Sequence, residues 1–295
     1  MKIFDCTTFF DEKMMMDVRF NILDKYVDKF VVVEANFSHS GKKKSLNFKI
    51  NDYPKFKDKI KYITIEEEPF DLFKNEESLN PTQKRLNSIK RIEQSYDHMM
   101  KGLSDVEEND LIMISDNDEI PNLESLNINE INNNFIIFKK LFFYYRFDLL
   151  YDKMPWYGTK ACKKKRLLSM SWLRNLKNKK YPVWRLDTYF SKLKQRDLQI
   201  VKNGGWHFTN VKTPEEIFEK LSNFGHHNEF EESGISINDI KESIKNKFVN
   251  YDHSADLRKN NKYGFKYKLK NIEDKYLPEY LTKNKEYFKK WFDIE

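Results

Sequence analysis

Leu111-Ile112-Met113-Ile114 runs without a polar residue and then breaks into Ser115-Asp116-Asn117-Asp118-Glu119-Ile120-Pro121. So short an apolar run fits a strand buried on both faces of a parallel sheet. Pro121 stops the strand from continuing. The two aspartates then stand on a loop past the strand's carboxyl end, where open α/β sheets bind ligands. Two carboxylates on such a loop can face one hard cation. Mg²⁺ and Mn²⁺ are held in this way, bridging a carboxylate or two to substrate phosphates. The ion would act there as a Lewis acid on a leaving diphosphate. An isolated Asp-x-Asp is also a common surface turn, so its weight comes from the surrounding pattern.

Upstream that pattern is a βα series. Ile3-Phe4 opens a short strand ending at Asp5, Cys6 and a Thr pair, and Asp11 reads as the N-cap of the next helix, with Glu12 in its first turn. Met15, Val18 and Ile22, with Phe20, Leu23, Val27 and Phe30, form two stripes at helical spacing. Phe30 to Val33 is a second apolar run, closed by Glu34, and Ile60 to Ile65 a third strand. A helix is predicted over Thr82 to Met100, from Leu86, Ile89, Ile92, Tyr96 and Met99. Strand, helix, strand, strand, helix, strand is the order of a doubly wound α/β half-domain.

Downstream the texture changes. Phe135–Phe138, Phe142–Tyr145, Val183–Trp184, Ile200–Val201 and Trp206–Phe208 read as separate short strands, and Asn127–Asn134 as a loop or helix end. Thr213-Pro214-Glu215-Glu216 is a capping box with Pro at the first helical position. Ile217, Leu221 and Phe224 line one face of the helix it opens, and short helices are expected from Ile272 onward. No linker interrupts the chain. One domain over 1–295 is expected, with a nucleotide-binding half at 1–121 and an acceptor half at 122–295.

A hydrophobic fraction of 39%, with 24 Phe and 16 Tyr, excludes a disordered chain and predicts an aromatic core. The net charge of +7 is spread over runs such as Lys42–Lys44, Lys163–Lys165 and Lys177–Lys180. Such runs read as solvated loops with some attraction for anions; no zinc-finger or RNP-like pattern supports dedicated nucleic-acid binding. Two cysteines, Cys6 and Cys162, make neither a disulfide framework nor a Cys-based zinc site, and a reduced, cytoplasmic setting is expected. No signal-like or membrane-spanning apolar stretch is visible.

Gly204-Gly205-Trp206-His207-Phe208 is the second constellation. Paired glycines allow close backbone approach or unusual φ, and His207 reads as a metal ligand, a diphosphate contact or a packed core residue. Adjacent His226 and His227 point in different directions and do not read as a metal pair.

Taken together, several segments resemble glycosyltransferase family 17. They are Phe9-Phe10-Asp11-Glu12, Asp17-Val18-Arg19-Phe20, Val27 through Phe37, Ser40-Gly41-Lys42, Ser115 through Pro121, Gly205-Trp206-His207, Thr213-Pro214-Glu215 and Leu277-Pro278-Glu279-Tyr280-Leu281. The blocks keep their order over nearly the whole chain. Asp11 departs from the family's usual Asn, and His39 and Ser40 stand where aromatic and Thr residues are common. The resemblance implies a GT-A-type α/β fold with a Rossmann-like nucleotide-binding half and a mixed sheet. It further implies a UDP-GlcNAc donor, a glycan hydroxyl acceptor, a divalent cation (Mn²⁺ or Mg²⁺) and inversion at the sugar carbon. It maps the cation onto Asp116 and Asp118, and the donor site onto Asp116, Gly205, Trp206 and Arg85. It also places His207 in the donor site, as a candidate third ligand to the cation.

Other roles follow from position. Glu34, closing the second strand, is a candidate for the donor's ribose or base. Asp5 and Glu12, at the same sheet edge, are further donor-binding candidates. Inversion needs a base for the acceptor hydroxyl, with Glu119 first and Asp187 second. The rival enzyme class is a haloacid-dehalogenase-like phosphohydrolase, which also sets Asp-x-Asp after a buried strand. There a Thr or Val normally follows two residues after the second Asp, where this chain has Ile120. A non-catalytic sugar- or nucleic-acid-binding protein is the rival from another class.

Overall fold

The computed structural model describes residues 1–74, 78–128, 131–253 and 262–293. Its first part is the βα series: β1 (Ile3–Thr8), α1 (Lys13–Leu23), β2 (Lys29–Ala35), β3 (Ile60–Ile65), α2 (Pro81–His98) and β4 (Leu111–Ser115). These strands lie in the order β3-β2-β1-β4, all parallel. The chain winds outward from β1 to β3 and then returns to place β4 on β1's other side. The winding direction therefore reverses between β1 and β4, a switch point of the kind at which α/β sheets bind ligands.

Both faces of β1, β2 and β4 are buried, and alternation sorts their side chains. Ile3, Phe30, Val32, Leu111 and Met113 enter one core cluster with Met15, Met16, Val18, Phe20 and Leu23 of α1. Phe4, Cys6, Val31, Val33, Ile112 and Ile114 enter another, which includes Met99, Leu103, Met170 and Leu173. Such two-sided burial is why β2 and β4 carry unbroken apolar runs, Phe30–Val33 and Leu111–Ile114. The α/β class read from them is the observed one.

The second part extends the same sheet. β5 (Glu119–Pro121), β6 (Phe135–Tyr144), β7 (Leu149–Leu150), β8 (Trp156–Lys163), α3 (Met170–Arg174), α4 (Asp187–Phe190), β9 (Leu198–Val201) and β10 (Gly205–Thr209) follow in order. β8 pairs antiparallel with β4 and with β6. β9 and β10 lie parallel to β6, and β10 also pairs antiparallel with β5. α5 (Pro214–Asn223), α6 (His227–Ser233) and α7 (Ile237–Lys245) cover a third apolar cluster around Phe142, Tyr144, Ile217, Phe230 and Ile240. β11 (Phe248–Val249) pairs with β12 (Tyr267–Lys268), β13 (Lys270–Asn271) pairs with β7, and α8 (Glu279–Lys283) lies near the end. Among the described residues the main sheet has 11 strands.

Four local expectations are corrected. Phe135–Tyr144 is one strand, because Lys140 is buried and donates to Thr159 Oγ1 at 2.5 Å, so the polar residue does not end the strand. Val183–Trp184 forms no strand and lies exposed in a loop. Glu12, rather than Asp11, holds the N-cap position of α1, without a side-chain capping bond. The helix expected over Thr82–Met100 begins one residue earlier, at Pro81, behind an Asn80–Gln83 capping box, and ends at His98. The capping box at Thr213 forms as read. Of the Asn127–Asn134 stretch, residues 129 and 130 lie outside the described residues. No helix among the described residues is long and apolar enough to cross a membrane.

Candidate active site

A cavity of about 570 Å³ opens at the carboxyl ends of the parallel strands. Thr8 at the end of β1, Ala35 of β2 and Asp116, Asn117 and Asp118 after β4 form one wall. Trp156, Arg174, His207 and Lys220 come from the second half and face them. Arg85, His39 and His226 line another part, and Tyr144, Tyr145, Tyr251, His253 and Tyr263 make an aromatic end.

The aspartate loop is held from beneath by a buried ion pair. Arg19 of α1 grips Asp5 through two bonds, Nε–Oδ2 at 2.7 Å and Nη2–Oδ1 at 2.5 Å. The same guanidinium donates to Ser115 Oγ at 3.0 Å and to the Glu119 carbonyl at 2.9 Å. On the other side, the Phe208 N–H donates to the Asp118 carbonyl at 2.8 Å, tying the loop to β10. Two-point Arg–carboxylate pairing fixes geometry as well as charge. The loop's backbone is therefore set by buried partners, leaving its side chains to the cavity.

Asp116 accepts from Tyr96 OH at 2.8 Å and from Arg174 Nη2 at 2.9 Å. Asp118 accepts from Lys220 Nζ at 3.2 Å, and its Oδ1 lies 3.5 Å from His207 Nε2. Burial alone would raise both carboxyl pKa values. Arg174 reverses this for Asp116, and Lys220 with His207 reverses it for Asp118, so both are held below the usual range. Both are anionic at neutral pH.

The donor chemistry fits a hard divalent cation. Two carboxylates and a neighbouring imidazole face a cavity with room for a diphosphate, which would supply the remaining oxygens. Among the described residues no three His, Cys, Asp or Glu side chains are grouped to hold an ion unaided. His207 packs against the rings of Phe142 and Trp156, at centroid distances of 4.6 and 4.5 Å, and its buried Nδ1 has no hydrogen-bond partner. It is a packed residue and a neighbour of Asp118 at once.

The remaining candidates separate into two groups. Glu12 lines the cavity, accepting from Asn117 Nδ2 at 2.6 Å, and Arg85 lines it while bonded to the Gly225 carbonyl and His226. Asp5 and Glu34 do not line it. Asp5 is consumed by Arg19, and Glu34 accepts from the Asn47 and Phe48 N–H groups, Tyr62 OH and Lys44 Nζ, anchoring the following loop. Trp206 points opposite to His207, as alternation on β10 requires, and donates to the Tyr276 carbonyl at 2.7 Å. Gly205 has φ of 111°, and a Cβ there would sit 2.2 Å from the Ile120 carbonyl oxygen, so its role is the β5–β10 junction. Glu119 is fully buried, accepting from Trp156 Nε1 at 2.6 Å, with Arg174 Nη2 at 3.5 Å. Its carboxylate occupies the space a Cβ on Gly158 would take, the nearest approach being 2.4 Å. Asp187 lies outside the cavity, paired with Arg185 and Lys194. Tyr96, Arg174 and Lys220 are cavity residues that sequence reasoning missed as a site; Tyr96 figured there only in a helix stripe.

A family model described as Glycosyltransferase family 17 matches residues 1–292. No curated protein matches the chain.

Proposed function

The chain belongs to glycosyltransferase family 17, and from that premise we propose that it moves GlcNAc from UDP-GlcNAc to a glycan hydroxyl, with inversion. The observation that carries this reading is the pair Asp116 and Asp118, anionic and facing a cavity at the sheet's switch point. In this reading the two carboxylates, with His207 beside Asp118, hold Mn²⁺ or Mg²⁺. That ion supplies positive charge to the leaving diphosphate. Arg174 and Lys220, which pair with the same carboxylates, are within reach to donate to phosphate oxygens once the aspartates are engaged. Tyr96 orients Asp116 through its hydroxyl.

The acceptor proton needs a carboxylate that reaches the cavity. Glu12 and Asp252 line it, whereas Glu119 and Asp187 do not. We therefore assign Glu119 a positioning role: its carboxylate joins Trp156 and Arg174 and so sets the guanidinium against Asp116. The aromatic end of the cavity, with flat faces and hydroxyls together, suits sugar rings.

The test is release of UDP from UDP-GlcNAc by the purified chain. Slow release with Mn²⁺, abolished by EDTA, supports the proposal. Release of phosphate from phosphomonoesters instead would favour the hydrolase, and equal turnover of ADP-, GDP- and UDP-sugars would remove the uridine assignment.

A further inference from the structure

The loop between α3 and β9 has no part in the cavity, yet among the described residues it carries five of the 13 exposed large hydrophobic side chains. The Lys177 N–H donates to the Leu193 carbonyl at 2.9 Å, so residues 177–193 leave the body and return at one point. Buried Lys160 holds the base of this loop by donating to the carbonyls of Arg174 and Leu176. Inside, Arg185 and Lys194 pair with Asp187, and Arg196 donates to Thr188 Oγ1 at 2.7 Å and lies over the Tyr189 ring. These ties fix the backbone, and they leave Val183, Trp184, Leu186, Tyr189 and Phe190 turned to solvent, Trp184 at 76% and Phe190 at 91% exposure. Scattered exposed apolar residues are ordinary, but so many on one braced loop mark a contact surface.

Charge identifies the partner. Between Lys163 and Arg196 stand 12 Lys and Arg residues against one acidic residue, Asp187. The net charge of the whole chain is only +7, so everything outside this segment is net negative. Lys177, Lys179, Lys180 and Lys192 are exposed around the aromatic tip. Aromatic and aliphatic side chains flanked by lysines match the two layers of a membrane surface, acyl boundary below and anionic headgroups above. We propose that residues 177–193 dock the protein on an anionic phospholipid surface. Val183, Trp184, Leu186 and Phe190 enter the interface and the flanking lysines face the headgroups. Because Arg174 of the cavity wall lies just before this loop, docking would hold the active site beside the membrane.

The test is co-sedimentation of the full chain with vesicles of phosphatidylglycerol and phosphatidylcholine, and with phosphatidylcholine alone. Binding to the anionic vesicles should be at least about tenfold tighter and should weaken with salt. Trp184→Ser/Phe190→Ser and, separately, Lys179→Glu/Lys180→Glu should each lose about tenfold or more of that affinity. Neither should change Tm or UDP release. Equal binding to both vesicle types, or unchanged binding by the Trp184/Phe190 variant, overturns the proposal. So does self-association that this variant abolishes in a chain that ignores vesicles, since the surface would then belong to a second copy.

Discussion

The layer beneath the cavity, its floor, and the wall that lines it both carry carboxylates, and they differ in what satisfies them. Asp5, Glu34 and Glu119 in the floor are fully buried and bonded to partners that hold the fold: Arg19, the 44–48 loop, and Trp156 with Arg174. Asp116 and Asp118 in the wall are paired with Arg174 and Lys220, long side chains from the second half that lie on the same cavity. A floor carboxylate has no room for a ligand. A wall carboxylate has exchangeable partners. Closeness to the end of a strand does not separate the two kinds; whether the carboxylate reaches the cavity does.

The largest effect expected is on turnover. Asp116→Ala or Asp118→Ala should lower UDP release by about a hundredfold to a thousandfold, as loss of a group that serves transition-state charge does, with Tm close to wild type. Wild-type turnover in both would break the division between wall and floor. Next comes the floor's own ion pair. Asp5→Ala leaves the Arg19 guanidinium buried without its counter-charge, and urea unfolding should show a loss of about 3–5 kcal/mol. A loss under about 1 kcal/mol, the range of exposed pairs, would mean that Arg19 finds other partners. Glu34→Gln keeps shape but gives up charge-assisted bonds, and about 1–3 kcal/mol should go in the same assay. Its UDP affinity should hold, because the carboxylate does not reach the cavity.

A pH dependence is also expected from histidines beside the wall. Burial lowers the His39 pKa to about 4 and that of His253 to about 3. Unfolded imidazoles take protons from about pH 6.5 downward, so the unfolded state binds more protons there and stability is lost as the pH drops. The loss runs from about pH 6.5 to the folded pKa values, at up to about 1.4 kcal/mol per pH unit for each histidine. Urea midpoints at pH 7 and 5 should show it, and His253→Phe should make the slope shallower. An unchanged slope would remove His253 from this account.

The sequence was most legible where both faces of a strand are buried or where a cap is local. β2 and β4 carry the apolar runs Phe30–Val33 and Leu111–Ile114 because both of their faces pack into core layers, and Thr213 caps α5 with residues three positions apart. The aspartate loop was legible for the same reason, since it begins where β4 ends. The cations that pair with it were not. Arg174 reaches Asp116 across 58 residues and Lys220 reaches Asp118 across 102, distances at which no local periodicity carries information. Alternation on β10 was readable in principle, and it sends His207 to the cavity and Trp206 away. The division of strand-end carboxylates between floor and wall was not, because the Glu34 carboxylate is defined by the return of the 44–48 loop and Asp5 by a helix arginine.

The most direct test of that division measures stabilisation by UDP with Mn²⁺ in wild type, Asp116→Asn and Glu34→Gln. At about a hundredfold excess over the dissociation constant, wild type and Glu34→Gln should each gain about 2–3 kcal/mol, and Asp116→Asn should gain almost nothing. A full gain in Asp116→Asn, or its loss in Glu34→Gln alone, would contradict the account.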